Sequence, residues 1–392
     1  MRLHALPQTV SARLAPYRKC FPCQQAQHFN VWCWVLVSLL LAGSGRLKEL
    51  TRWMPRRLAY WTTLRFVRAQ VWDAQAVLDL QVGDLLATLS PPKDGVLHLL
   101  YDTTRTEKTG AQQPLAYTTK TGKFDPFIFG HTVLLLVMQW GQFRIPLKVR
   151  VLDPKIKGHQ NILVRELLTQ FVPPAWCQRV NVAADAGFAA KATLQHIAAR
   201  GYFYTFALPR TWKTADGRHL SNIARHTNKR CYHRVASYKP DGRRRDYWTV
   251  REEIKLTALG DVTLVISKRR FNDPPRNIKF LVTNLPGASA GTILSYYARR
   301  WAVEVMFKEL KSGLHLGQMQ VTKKEERIQR SIALPVMAYV MLLRVYAAEL
   351  QPDQRTSFFA LQKRFRTEVY QEQFDRSEVR FKKRLARFQR LA

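Results

Sequence analysis

The sequence predicts an α/β protein built on a mixed sheet, and three observations indicate this class. Apolar runs of strand length alternate with helical segments over residues 96–208, as is typical of α/β proteins. The first 93 residues instead show the apolar spacing of helices. Hydrophobic residues make up 46% of the chain, which favours a folded core over disorder. The strand runs are residues 96–101, 131–140, 143–151, 180–184 and 202–208, and the helical segments are 161–172 and 188–199.

Residues 1–93 are predicted to form a helical N-terminal module. Residues 31–42 are nearly all apolar and predict a buried helix, and the prolines and glycine of 91–95 predict a linker. Arginines are interleaved with apolar residues that recur at helical spacing, which favours a DNA-binding module. A scaffold with a solvated basic face has the same pattern. The recurring apolar positions are Leu47, Leu50, Trp53, Met54, Leu58 and Trp61.

Four further units are expected after this module. Residues 94–208 form the first part of the α/β core, and 209–275 form a β-rich insertion with 16 Lys and Arg against 7 Asp and Glu. Residues 276–350 return to the core through a strand and two helices, and 351–392 form a basic helical C-terminal tail.

The charge of the chain indicates a polyanionic partner. The formal net charge is +35 and the isoelectric point is about 10.5, far beyond what solubility requires. An acidic membrane surface is the competing partner, but no segment approaches the roughly 20 consecutive apolar residues that a membrane span needs. The N-terminus lacks the layout of a signal peptide. Five cysteines in so long a chain favour a reducing cytoplasm.

A polar stripe is predicted on the helix that begins near Ser289 and ends before Gly313. At about 100° per residue, Tyr297, Arg300, Glu304 and Lys311 fall in one sector of the helix, together with Lys308. A solvated helix face with ion pairs at a spacing of four residues would explain this arrangement. A site that combines one carboxylate with several cations would explain it equally.

Two aspartates follow predicted buried strands. Asp102 comes after residues 96–101, and Asp185 comes after 180–184. Open α/β sheets bind ligands at the carboxyl ends of their strands, so both side chains are candidates for a metal site. A helix cap or a turn would also explain an aspartate at either position. Asp153, which follows the third predicted strand, is left out of the candidate site.

The spacing Tyr297-x2-Arg300-x3-Glu304-x6-Lys311 resembles the YREK signature of bacterial insertion-sequence transposases of the DDE superfamily. The sequences Asp102-Thr and Asp185-x-Gly-Phe resemble the contexts of the other two acids in that superfamily, in the same order. The resemblance extends from about residue 96 to about residue 350.

The resemblance implies an RNase H-like fold and a DNA transposase. Asp102, Asp185 and Glu304 would be the catalytic acids that bind two Mg²⁺ ions, for which Mn²⁺ can substitute. The residues that would contact DNA are Tyr297, Arg300, Lys308 and Lys311. The partner would be double-stranded DNA at the element's ends and at the target, bound by a homodimer in the cytoplasm at the nucleoid.

Three alternatives stay open at this point. The chain could be a degenerate transposase that binds DNA as a repressor, or a structure-specific nuclease on the same fold. Trp248 or Trp212 could hold a flipped base in the insertion, or either could pack in the core. Cys20-x2-Cys23-x4-His28-x4-Cys33 has the ligand spacing of a zinc knuckle, or Cys33 is an ordinary buried cysteine.

Overall fold

The computed structural model describes residues 3, 5–21, 26–58, 60–68, 72–92, 94–109, 113–120, 126–141, 143–238, 242–320, 324–350 and 357–389. Helices dominate the two ends of the chain and a large sheet lies between them. The chain therefore follows the order that the apolar patterns predict.

The N-terminal segment is helical. The predicted buried helix is confirmed, because residues 31–42 are at most 4% exposed. The helix that precedes the sheet is capped by Asp73, whose carboxylate accepts hydrogen bonds from the backbone N–H groups of Gln75 and Ala76. The helices are α1 (Gln8–Leu14), α2 (Ala26–Leu41), α3 (Leu47–Thr51), α4 (Tyr60–Arg68) and α5 (Ala74–Thr88), with a 3₁₀ turn at Ala15–Cys20.

The described strands form one ten-stranded sheet with the order β2-β3-β1-β5-β6-β10-β9-β8-β7, and β4 also pairs with β3. The strands are β1 (Val96–Glu107), β2 (Tyr117–Lys120), β3 (Phe127–Trp140), β4 (Phe143–Val151), β5 (Arg179–Ala184), β6 (Phe203–Leu208), β7 (His233–Tyr238), β8 (Arg244–Leu256), β9 (Gly260–Lys268) and β10 (Lys279–Thr283).

The centre of the sheet has the RNase H-like arrangement. The order is β4-β3-β1-β5-β6, with β3 antiparallel to β1 and β4 antiparallel to β3. Strand β5 is parallel to β1, and β6 is parallel to β5. Helix α6 (His159–Gln170) connects β4 to β5, and α7 (Lys191–Ala199) connects the parallel strands β5 and β6. The predicted α/β class with an RNase H-like mixed sheet is confirmed.

The strands of the predicted insertion extend this same sheet. Strand β10 is antiparallel to β6, β9 pairs with β10, and β8 and β7 follow in turn. Residues 209–275 also contain helix α8 (Leu220–His226). The segment is therefore β-rich, as expected, but its ladder is continuous with the core because β10 offers an antiparallel edge to β9.

The predicted polar helix consists of two helices and a π turn. Helix α9 (Ala290–Arg299) is capped by the Ser289 hydroxyl, which accepts from the backbone N–H of Thr292. The helix is interrupted at Arg300, continues as α10 (Trp301–Lys308) and ends in a π-helical turn, Glu309–Gly313. The prediction of one uninterrupted helix is therefore wrong at Arg300, while its start at Ser289 is confirmed.

Two helices complete the described chain, α11 (Glu325–Val345) and α12 (Phe358–Gln389). Within the described residues α11 is the one helix long and apolar enough to cross a membrane, and 89% of its apolar window is buried inside the protein. That burial is typical of a core helix. One buried cluster includes residues of α2, α5, α11 and the central strands, so the N-terminal helices share the core of the sheet.

Candidate active site

The two aspartates lie side by side where the β1–β5 pairing ends. Leu100 is in register with Ala183 in that parallel pair, and Asp102 and Asp185 each come two residues later. Strand β5 ends at Ala184, but β1 continues to Glu107 because β3 still pairs with it. The expectation that Asp102 ends its strand is therefore wrong. Its position at the carboxyl end of the parallel pair is as expected.

Arg300 brings the three acids together. Its Nη2 lies 2.7 Å from Oε1 of Glu304, its Nε lies 3.5 Å from Oδ1 of Asp185, and its Nη1 lies 3.6 Å from Oδ2 of Asp102. Arg300 is the residue between α9 and α10, and its guanidinium reaches the two aspartates at the end of the parallel pair. A solvated helix face accounts for the contact with Glu304 but not for the contacts with the two aspartates.

The Arg300 guanidinium is buried and incompletely hydrogen-bonded. Its side chain is 10% exposed, and Nε and Nη1 have no hydrogen-bond partner of adequate geometry. Burial acts to lower the pKa of Arg300, but the attraction of Asp185, Tyr297 and Glu304 is stronger and raises it above the ordinary value. The group therefore stays charged among the acids.

The Asp102 carboxylate is largely buried and lies close to two other carboxylates. Burial, together with the negative charges of Asp185 and Glu304, raises its pKa to about 6. A hydrogen bond from the backbone N–H of Thr103, 2.7 Å long, and the charge of Arg300 oppose that rise. The charge of Arg300 therefore does not fully offset the burial of Asp102 and its repulsion by the other two carboxylates.

Tyr297 is tied to the second aspartate. Its hydroxyl donates a hydrogen bond of 2.7 Å to Oδ1 of Asp185. Burial and the neighbouring carboxylate of Asp185 raise the pKa of Tyr297 well above its ordinary value, so the phenol keeps its proton. The tyrosine thus orients the same oxygen that faces Arg300.

The donor set at this position fits a divalent cation. Carboxylate oxygens are the ligands that Mg²⁺ prefers, and the side chains of Asp185 and Glu304 are 49% and 34% exposed. The repulsion that acts on Asp102 is also what a cation would relieve. Among the described residues no three acidic, histidine or cysteine side chains are grouped as ligands of one ion, and the acids meet at Arg300 instead.

Comparisons with known proteins agree on one family. The model of the transposase DDE domain matches residues 97–341, which is more than half of the chain. The chain belongs to the DDE transposase family. The match includes all three acids.

A curated relative of this DDE transposase is the probable transposase for insertion sequence element IS5377 of Geobacillus stearothermophilus. It is 36% identical over 86 residues, which is 22% of this chain and 22% of the relative, so the match spans about a fifth of either protein. A solved structure of piggyBac transposase, in a synaptic complex with hairpin DNA, aligns with a TM-score of 0.49 and 10% identity. The alignment covers 94% of this chain and 78% of the piggyBac transposase chain.

The other two residues of the transposase's predicted DNA-contacting stripe lie further along the same path. Lys308 ends α10 and Lys311 lies in the π turn, and both are exposed. Partial desolvation lowers the pKa of Lys311. Within the described ranges neither lysine forms an ion pair.

A cavity beside Tyr297 and Arg300 was not anticipated from the sequence. It encloses about 310 Å³ and is lined by cations from three adjacent strands, Arg245 of β8, Arg269 just after β9 and Lys279 of β10. Sequence patterns showed a basic segment here, but which cations share one face depends on the pairing of β8, β9 and β10. Only the register of those strands could have identified them.

The aromatic candidates of the insertion are partly covered. Trp248 lies on β8 opposite Lys268, and its ring contacts that of Phe271 at a centroid distance of 4.8 Å. Trp212, like Trp248, packs against the main hydrophobic core. Both rings therefore have packing roles, and neither lines the cavity beside Tyr297.

The suggested zinc ligands fall in the N-terminal helices. Cys33 is 1% exposed in the core, and burial raises its pKa well above the ordinary value. Cys20 is a free thiol at the end of the 3₁₀ turn, and His28 lies on α2. Cys23 lies outside the described residues. The described part of this pattern shows no grouped metal ligands.

Proposed function

We propose that this DDE transposase cuts double-stranded DNA at the ends of an insertion sequence and joins those ends to target DNA. The observation that carries the proposal is the convergence of Asp102, Asp185 and Glu304 on one guanidinium at the carboxyl end of a parallel strand pair. Acids from distant parts of a chain converge in this way where a site needs concentrated negative charge.

The three acids would hold two Mg²⁺ ions, for which Mn²⁺ can substitute. When bound, such ions activate the attacking oxygen and stabilise the leaving oxygen of an in-line displacement at phosphorus. Tyr297 holds Asp185 in one orientation through its hydrogen bond. Arg300, Lys308 and Lys311 supply positive charge for the phosphates of the strand being cut.

The rest of the chain would hold the DNA. The whole chain has a net charge of +35. Residues 1–93 and the tail 351–392 are proposed to bind the DNA backbone electrostatically, at the nucleoid. Cutting two ends together requires two active sites, so we propose a homodimer on DNA. Trp248 remains a proposed contact for an unstacked base, secondary to its packing against Phe271.

The test replaces each acid by its uncharged amide. Asp102→Asn, Asp185→Asn and Glu304→Gln are expected to lower Mg²⁺-dependent cleavage and strand transfer by about 10³-fold or more, because metal ligands are lost. Binding of a terminal-repeat duplex should change little. Cleavage is measured on a labelled duplex in gels, and binding by fluorescence anisotropy.

Asp153→Asn is the matched control. Asp153 also follows a strand of the sheet, but its carboxylate caps a turn by accepting from the backbone N–H of Lys155. The control should cut normally. Full cleavage by all three amide variants would disprove the proposal. Binding without cleavage in the unaltered protein would favour a repressor, and cleavage without joined products would favour a nuclease.

A further inference from the structure

A single arginine, Arg300, contacts all three candidate metal-binding acids. One cationic side chain, 10% exposed, contacts the carboxylates of Asp102, Asp185 and Glu304, and two of its nitrogens have no good hydrogen bond there. A guanidinium placed only to stabilise the fold would normally satisfy its donors when buried. Here it is held chiefly by the charge of the three acids.

Any divalent cation bound by these acids would draw on the same three carboxylates that now face Arg300. The guanidinium and the cation would repel each other, and both would draw on the same carboxylate charge. The two cations are therefore competitors for one place. No other described basic side chain contacts these three acids.

We propose that Arg300 is a built-in competitor of the metal ions, and that transfer of its guanidinium from the acids to a DNA phosphate couples DNA binding to metal loading. The inference rests on the proposed role of the three acids as metal ligands. A phosphate offers the guanidinium a paired, bidentate partner in place of contacts at 3.5 and 3.6 Å. The acids then become available to cations when a substrate is present.

This competition couples the affinity for metal to the affinity for DNA. DNA that draws Arg300 away raises the affinity for metal, and metal must raise the affinity for DNA by the same factor. Without DNA, the protein should bind metal more weakly than a site with three carboxylates and no competing guanidinium would. Removing the guanidinium should strengthen metal binding and abolish the coupling.

The first measurement uses Mn²⁺ as the probe and the full chain without DNA. Free Mn²⁺ is followed by its electron paramagnetic resonance signal in titrations of the unaltered protein and of Arg300→Gln. The variant is expected to bind Mn²⁺ more tightly by about fivefold or more. Equal or weaker binding by a variant with an unchanged melting temperature would overturn the inference.

The matched control is Lys191→Gln. It removes one positive charge six residues from Asp185, from an exposed side chain at the first position of α7 that contacts none of the three acids among the described residues. Its Mn²⁺ affinity should stay within about twofold of the unaltered protein, because an exposed charge is screened. A gain equal to that of Arg300→Gln would reduce the effect to general electrostatics and overturn the inference.

The decisive result of the second measurement comes from the unaltered protein, so it does not depend on whether a variant folds. A saturating short DNA duplex, with the Mn²⁺ bound by the duplex alone subtracted, should raise the Mn²⁺ affinity of the unaltered protein by about fivefold or more. Arg300→Gln should show little further gain. An unchanged affinity in the unaltered protein would overturn the inference whatever the variant does.

Asp185→Asn separates this inference from the function on which it rests. Loss of Mn²⁺ binding in Asp185→Asn, without a gain in Arg300→Gln, would leave the metal site intact and reject only the role of Arg300. Mn²⁺ binding that survives in Asp185→Asn at full affinity would show that the ions bind elsewhere, and then the proposed function fails too.

Discussion

His131 lies on β3 with 1% of its surface exposed, and its Nε2 is 2.9 Å from the carbonyl oxygen of Pro114, to which it donates in the matching tautomer. Burial, together with the charge of Lys108, lowers the pKa of His131 to about 4, and the hydrogen bond to Pro114 only partly opposes this shift. The imidazole is therefore neutral in the folded protein.

This histidine makes stability depend on pH in a known direction. Its pKa is depressed on folding, so the unfolded chain takes up the proton first as the pH falls, and stability is lost between about pH 6.5 and pH 4. Between about pH 7 and pH 5 the unaltered protein should lose roughly 2 kcal/mol more than His131→Gln, which keeps a donor for Pro114. Urea unfolding at both pH values measures this, and parallel losses would contradict it.

The acids show how far single residues can be predicted from sequence. The convergence of Asp102, Asp185 and Glu304 as a metal site was predicted from strand ends and from a resemblance in spacing. The structure places each of the three carboxylates against Arg300, and their role as metal ligands stays a prediction. The position of Arg300 among all of them was not predicted. Its ion pair with Glu304 can be predicted from the sequence, because the two residues are four positions apart on a helix. Its contacts with the aspartates depend on how α9 packs on the sheet, which the sequence pattern does not give.

At the level of elements, the turn after Glu304 is anchored by a buried ion pair. Nη2 of Arg144, on β4, lies 2.6 Å from Oε1 of Glu309, and the hydroxyl of Tyr339, on α11, donates to Oε2 of Glu309 at 3.0 Å. The Glu309 side chain is 4% exposed. The π turn that ends the Glu304 helix is thereby joined to the sheet and to the core helix.

Breaking this pair should be costly. Glu309→Leu leaves the Arg144 guanidinium buried without its partner, and should lower the free energy of unfolding by about 3–5 kcal/mol. The double variant Arg144→Met, Glu309→Leu should recover most of that loss, because no buried charge remains. Denaturant unfolding curves measure both.

The exposed pair of Arg364 and Glu349 is the control for that experiment. Its side chains are 48% and 55% exposed, so Arg364→Met should cost at most about 1 kcal/mol. A loss from Glu309→Leu no larger than that of the control would show that the buried pair does not anchor the turn.

Elements themselves were easier to predict than their partners. Apolar spacing located nearly every central strand and the long helices, because burial imposes that spacing along the chain itself. Strand β1 continues past Asp102 only because β3 pairs beside it, and β9 joins the core sheet only because β10 exposes an edge. Such pairings join distant segments, and the composition of either segment alone does not determine them.

For the molecule as a whole, the N-terminal helices and the sheet share one core. The indole N–H of Trp32, on α2, donates to the sulfur of Met337 on α11, and the Lys148 ammonium on β4 pairs at 2.6 Å with Asp79 on α5. Residues 31–42 have almost no exposed surface. The helices that are proposed to grip DNA are therefore fixed relative to the three acids.

This shared core predicts one cooperative unit. Calorimetry of the full chain should show a single transition, and a fragment of residues 94–392 should lack a sharp one, because removal of α2 and α5 exposes the apolar faces of α11 and β4. A chain ending at Lys382 is the control, since Phe374 and Phe381 near that end are already 66% and 65% exposed. It should melt like the full chain. A fragment 94–392 that melts cooperatively, or two separate transitions in the full chain, would show that the N-terminal helices fold independently and that their distance from the acids is set by a linker instead of a core.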